Sequence, residues 1–262
     1  MTDETITTPH GRLPVVVGQP RGEGRWPGVI VIHDAGGMSK DTRRQVDWLA
    51  GAGYLTVAPD LFYFGNTATC LWTIFRNVRA GRGRFYDEIE ATRRWLIDQP
   101  GCTGRIGVIG FCIGGGLALA LAPGHGFDAS SVNYGAIPGD AERALATACP
   151  IVASYGAHDG SLRGAAARLD RVLEGLGIDH DVKEYPDAGH GFINDHRDER
   201  IPPVFALMAR FIGGSDPHEP SAEDARHRIE AFFGRHLRSP DWDDPRRSSR
   251  VPRRPGGQGT AP

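Results

Sequence analysis

No two of the four cysteines (Cys70, Cys102, Cys112 and Cys149) are spaced as a Cys-x-x-Cys pair. That spacing removes the zinc-ribbon and thioredoxin-type readings and leaves any metal site without support. No window approaches the roughly twenty apolar residues of a membrane-spanning helix. The opening Met1-Thr2-Asp3-Glu4-Thr5 is polar and acidic and lacks the apolar run of a signal peptide. These features lead to the expectation of a cytoplasmic protein with reduced thiols. A net charge of −2 gives no electrostatic reason to expect a nucleic acid or a membrane as partner. No internal repeat is visible, so solenoids and propellers are set aside.

What remains is ordinary for a soluble globular chain of 262 residues, 40% hydrophobic and 24% charged, with 36 glycines that suit many short turns. Gly28-Val29-Ile30-Val31-Ile32-His33 is a continuous apolar run, as expected of a parallel strand buried on both faces. Further strands are predicted at Leu13–Val17, Tyr54–Ala58, Arg105–Gly110, Ser130–Tyr134, Pro150–Tyr155 and His180–Tyr185. Helices are predicted at Asp41–Ala50, around Leu71–Val78, and at Phe85–Asp98, Ala165–Leu176, Val204–Ile212 and Ala222–Leu237. Strands alternating with helices predict an α/β fold, a mostly parallel sheet with helices on both faces. Residues 1–238 are expected to form one domain. From 239 to 262 the chain is rich in Pro, Gly, Arg and Asp and is read as a disordered tail.

The segment from Arg105 to Gly116 reads as strand, tight turn, helix, and Gly110-Phe111-Cys112-Ile113-Gly114 has the Gly-x-nucleophile-x-Gly pattern of a nucleophile elbow. A side chain at the tip of so sharp a turn needs neighbours without Cβ atoms, and Gly110 and Gly114 meet that need. The N–H of Ile113, at a helix start, points where an oxyanion would form. A helix N-terminus also favours thiolate, the reactive form of cysteine.

In open parallel sheets function gathers beyond the carboxyl ends of the strands. Three such positions carry suitable side chains: Cys112, Asp159 in His158-Asp159-Gly160, and His190 in Gly189-His190-Gly191. Their order of nucleophile, acid, histidine is that of α/β-hydrolases. Cys112 is expected to attack an acyl carbonyl, His190 to shuttle the proton, and Asp159 to fix the imidazole tautomer. The N–H groups of Ala35 and Ile113 are expected to form the oxyanion hole. Asp187 stands too close before His190 to match a separate acid loop, and His33, ending a buried strand, is read as structural.

Gly110-Phe111-Cys112-Ile113-Gly114-Gly115, His158-Asp159, Gly189-His190-Gly191-Phe192 and the His33-Asp34-Ala35-Gly36-Gly37 loop resemble the dienelactone hydrolase family of α/β-hydrolases, over roughly Val15 to Phe211. The resemblance implies a Cys–Asp–His triad that hydrolyses an ester or lactone without metal or organic cofactor. It also implies an acidic residue in the oxyanion loop that contacts the resting thiol. Asp34 takes that thiol-gating position, one methylene shorter than the family's glutamate. The family's carboxylate-binding arginine soon after the triad histidine has no match here, where Gly191-Phe192-Ile193-Asn194 follow and Arg197 is the first arginine. Arg76, Arg79 and Arg82 are other sources of charge, and Phe62, Tyr63, Phe64, Trp72 and Phe75 either line an acyl pocket or pack beneath a lid.

The expected activity is cysteine-dependent hydrolysis of small esters or lactones through a thioester acyl-enzyme. The expected partner is a small-molecule substrate, and the chain is expected to be a monomer or small homo-oligomer. Alternatives are a general carboxylesterase or thioesterase, and a thiol redox sensor needing Cys112 but neither Asp159 nor His190.

Overall fold

In the computed structural model, residues 1–197 and 217–238 are described. The expected helix at Val204–Ile212 and the tail from residue 239 lie outside them.

The chain opens with an antiparallel hairpin, β1 (Thr2–Thr8) and β2 (Gly11–Gly18). β3 (Trp26–Ile32), α1 (Lys40–Gly51), β4 (Leu55–Pro59), α2 (Thr67–Ala80), α3 (Arg84–Ile97) and β5 (Cys102–Phe111) follow. Then come α4 (Ile113–Leu121), β6 (Ala129–Asn133), the short α5 (Ala141–Ala144), β7 (Ile151–Gly156), α6 (Ala165–Leu176), β8 (His180–Tyr185) and α7 (Glu219–Leu237). The eight strands form one sheet in the order β1-β2-β4-β3-β5-β6-β7-β8. All neighbours from β4 to β8 are parallel, and β2 joins β4 antiparallel.

The expected α/β-hydrolase architecture is thus present, with one strand more than expected. β1 escapes sequence reading because it is an edge strand of polar residues that buries only Ile6 and Thr8.

The period of two along β3 divides the core. Ile30 and Ile32 pack with Phe85, Ile89 and Leu96 of α3 and Leu117 and Leu121 of α4. Val29 and Val31 pack on the opposite face with Val46 and Leu49 of α1 and Ile229, Phe232 and Phe233 of α7. α6 covers β6 and β7 through Leu169 and Leu173. Cover on both faces explains why β3 reads as an unbroken apolar run.

α1 begins at Ser39, whose hydroxyl accepts from the Thr42 N–H at 3.1 Å. α2 begins at Asn66, whose side chain accepts from the Thr69 N–H at 3.0 Å, and stops at Gly81 in the left-handed region. The helix is longer at both ends than the apolar run Leu71–Val78 suggests, because its caps rather than its apolar residues set its limits.

Candidate active site

The β5–α4 junction holds Cys112 at φ 56° and ψ −117°, a conformation that L-residues rarely adopt. Backbone bonds on both sides hold it there: its N–H donates to the Asn133 carbonyl at 3.0 Å and its carbonyl accepts from the Gly116 N–H at 3.2 Å. The turn closes so tightly that a Cβ at Gly110 would collide with the Gly114 carbonyl. One at Gly114 would lie 2.6 Å from the His33 carbonyl oxygen, and one at Gly115 would collide with the Asn133 carbonyl. The glycines therefore let the start of α4 press against the ends of β3 and β6. The Ile113 N–H, at the first position of α4, has no intrahelical acceptor. Ile113, Ala35, Cys112 and His190 line one cavity.

Asp159 follows β7 and is 1% exposed; His190 follows β8 and is 8% exposed. His190 Nδ1 donates to Asp159 Oδ2 at 2.6 Å. The other carboxylate oxygen accepts from the Ser161 N–H at 2.9 Å and its hydroxyl at 2.6 Å, which fixes the plane of the carboxylate. Burial pushes the Asp159 carboxyl up, but the bonds from His190 and Ser161 outweigh it and hold the group below its ordinary range. Burial likewise opposes charge on His190, yet the Asp159 bond and the neighbouring Cys112 raise it to about 10. His190 Nε2 is buried and has no hydrogen-bond partner of ordinary geometry among the described residues. Gly156 lets these loops approach, since a Cβ there would collide with the Gly189 carbonyl.

The loop after β3 departs from expectation. Asp34 makes no hydrogen bond to Cys112, so the expected thiol-gating contact is not formed. Its Oδ2 accepts from His196 Nε2 at 2.7 Å and its Oδ1 from the Gly36 N–H at 2.7 Å. With the short aspartate arm, both oxygens are used within the loop and across to the segment after His190. Burial raises the Asp34 carboxyl, and the His196 bond more than offsets this and keeps it low. His33 is structural: Nδ1 donates to the Asp34 carbonyl at 2.7 Å and Nε2 accepts from the Leu61 N–H at 3.1 Å. Burial lowers its pKa and favours the neutral ring that these two bonds require.

A second layer holds the histidine loop. Tyr134, just after β6, is with Cys112 one of two non-glycine residues at positive φ among the described residues, at 41°, and its ring meets the His190 ring edge-on at 5.2 Å. Its hydroxyl donates to Asn194 Oδ1. Asn194 Nδ2 in turn donates to buried Asp41 at 2.5 Å, and the Asp195 N–H donates to the same carboxylate at 2.8 Å. Tyr134, Asn194, Asp41 and His196 were not among the residues singled out from sequence.

The cavity measures about 1190 Å³. One wall is a stripe of α2, Leu71, Ile74, Phe75 and Val78, at the i, i+3, i+4, i+7 spacing of a single helix face. A stripe of α4 with the same spacing also lines it: Ile113, Gly116, Leu117 and Ala120. Of the five aromatics noted in sequence, only Phe75 lines the cavity. Phe62 packs edge-on against His33, Tyr63 bonds Glu88, and Arg84 stacks over Phe64 at 3.8 Å. Trp72 lies outside the cavity at 60% exposure, with Arg76 over its ring. Of Arg76, Arg79 and Arg82, only Arg79 reaches the cavity lining. Among the described residues no cluster of His, Cys, Asp and Glu is set to hold a metal, and no helix is long and apolar enough to cross a membrane.

Comparison with known proteins identifies the family. The profile of the dienelactone hydrolase family matches residues 13–237. A carboxymethylenebutenolidase of Pseudomonas putida is 27% identical over 183 residues, covering 63% of this chain and 75% of its own. Among solved structures, a dienelactone hydrolase-like promiscuous phosphotriesterase from metagenomic libraries superposes with a TM-score of 0.73 at 20% identity, covering 90% of this chain and 99% of its own. Dienelactone hydrolase from Anabaena variabilis superposes with a TM-score of 0.65 at 19% identity, covering 90% and 98%. The chain belongs to the dienelactone hydrolase family and is a hydrolase of ester or lactone bonds.

Proposed function

We propose that hydrolysis proceeds through a thioester at Cys112, with His190 as acid and base and Asp159 as the group that orients it. The observation that carries this reading is the 2.6 Å bond from His190 Nδ1 to Asp159. It leaves Nε2 on the side of Cys112, a cysteine held on a strained turn.

The Cys112 thiolate attacks the carbonyl carbon of the substrate, and the carbonyl electron pair moves to oxygen. The N–H groups of Ala35 and Ile113 stabilise this oxyanion. Collapse of the intermediate breaks the bond to the leaving oxygen, which takes the proton from His190 Nε2 and departs as alcohol or enol. Neutral His190 then takes a proton from water, which attacks the thioester. The second intermediate expels the thiolate and releases the acid, and the imidazolium faces the thiolate again. Asp159 keeps Nε2 directed at the sulfur and stabilises the imidazolium, without itself taking the proton. Asp34 has a positioning role in this scheme, tying the oxyanion loop to His196.

Cys112→Ala tests the reading with an aryl acetate and a small unsaturated lactone as substrates. Loss of turnover with a native far-UV spectrum is expected; activity near the wild-type level contradicts it.

A further inference from the structure

Resting on the thiol-hydrolase reading, we infer that the α2–α4 cavity is an acyl-chain site and that the preferred substrates are neutral esters of medium to long unbranched acids. The two apolar stripes line one cavity, and at about 1190 Å³ it exceeds the roughly 300–1,000 Å³ of an ordinary small-ligand pocket. A small lactone leaves most of that volume unused.

Direction comes from α4. The helix starts at the thiol, and its cavity-facing stripe runs from Ile113 to Ala120, about 10 Å at 1.5 Å per residue. A group attached to Cys112 as a thioester lies naturally along that stripe. Gly116 and Ala120 keep this wall low: a Cβ at Gly116 would make only ordinary contact, 3.5 Å from the backbone of Ala136. A larger side chain at either position projects into the cavity. Phe75 lies at the edge of the cavity with 64% of its surface exposed, an apolar area that a bound chain would cover.

Charge on the lining is largely paired within the protein, and Asp34 is bonded to His196. Arg143 is held by Asp140 at 2.6 Å, Arg79 is an exposed residue near the end of α2, and Asp34 is the acidic group near the thiol.

The test is kcat/KM for 4-nitrophenyl acetate, butyrate, octanoate and laurate, with a parallel series of acetate esters of lengthening alcohols. It uses the wild-type chain and the Ala120→Phe and Val78→Trp variants, each checked for an unchanged unfolding midpoint. Burying a methylene is worth up to about fourfold, so octanoate is expected to exceed acetate by tenfold or more. Each variant is expected to reduce the octanoate-to-acetate ratio by about tenfold or more. A flat or falling acyl series, a rise in the alcohol series alone, or ratios unchanged in both variants would overturn the acyl-chain site. If acetate turnover instead survives in Cys112→Ala, the thiol-hydrolase reading fails separately, whatever the chain-length profile.

Discussion

His196 Nε2 donates to Asp34 Oδ2 across 2.7 Å, linking the loop after β3 to the segment that follows His190. The two residues are 162 positions apart in sequence. This contact holds the loop that carries Ala35.

Asp34→Ala is expected to cost about 1–3 kcal/mol in urea unfolding, because it also leaves the Gly36 N–H without its acceptor. A double-mutant cycle with His196→Ala is expected to show coupling of about 0.5–3 kcal/mol. Because the folded state holds Asp34 below its ordinary range, its contribution is intact above the unfolded carboxylate pKa and is lost as pH falls through the folded value. Acid titration of wild type against Asp34→Asn measures this, and parallel curves would contradict it.

The His190 ring is expected to remain protonated from the ordinary imidazole range up to about pH 10. A raised histidine pKa stabilises the fold below the unfolded value, and that contribution is lost as pH rises toward about 10. NMR titration of the ring carbons is expected to show the high midpoint in wild type and a lower one in Cys112→Ala, where the side chain that helps to raise it is gone. A midpoint near 6.5 in both proteins would contradict this.

Asp159→Asn is expected to reduce kcat/KM by about a hundredfold to ten-thousandfold, since an amide no longer selects the productive tautomer. The same substitution at Asp187 is expected to change kcat/KM less than about threefold, because Asp159 already occupies Nδ1. A large loss at Asp187 would reassign the acid.

Two glycines separate close packing from simple flexibility. Gly110→Ala is expected to cost at least about 1–3 kcal/mol, because its methyl would collide with the Gly114 carbonyl. Gly175→Ala, in α6 with open space around it, is expected to stabilise by about 0.5–1 kcal/mol. Thermal unfolding of the two variants distinguishes the cases.

The elements legible from sequence were those with local signals. The elbow was readable because its small neighbours lie within five residues of Cys112, and α6 because its stripe of Leu169, Val172 and Leu173 ends at Gly177. The order of Cys112, Asp159 and His190 after successive strands was readable for the same reason, the first two following short apolar runs and His190 an alternating strand. Asp34–His196 and Asp41–Asn194 were not, since bonds spanning 162 and 153 residues leave no spacing pattern. The positive φ of Tyr134 was equally hidden, because a buried tyrosine after a strand reads as ordinary core. The cavity required both stripes at once: α2 alone resembles a packed amphipathic helix, and its apolar face becomes a wall only together with α4.

The most direct measurement is peptide mass spectrometry of the protein quenched in acid during turnover of a slowly hydrolysed aryl ester. The predicted result is the acyl mass on the peptide containing Cys112, labile to hydroxylamine, absent in Cys112→Ala, and accumulating when His190→Ala slows deacylation more than acylation. Acyl groups on any other residue, or full turnover with Cys112 never modified, would contradict the account.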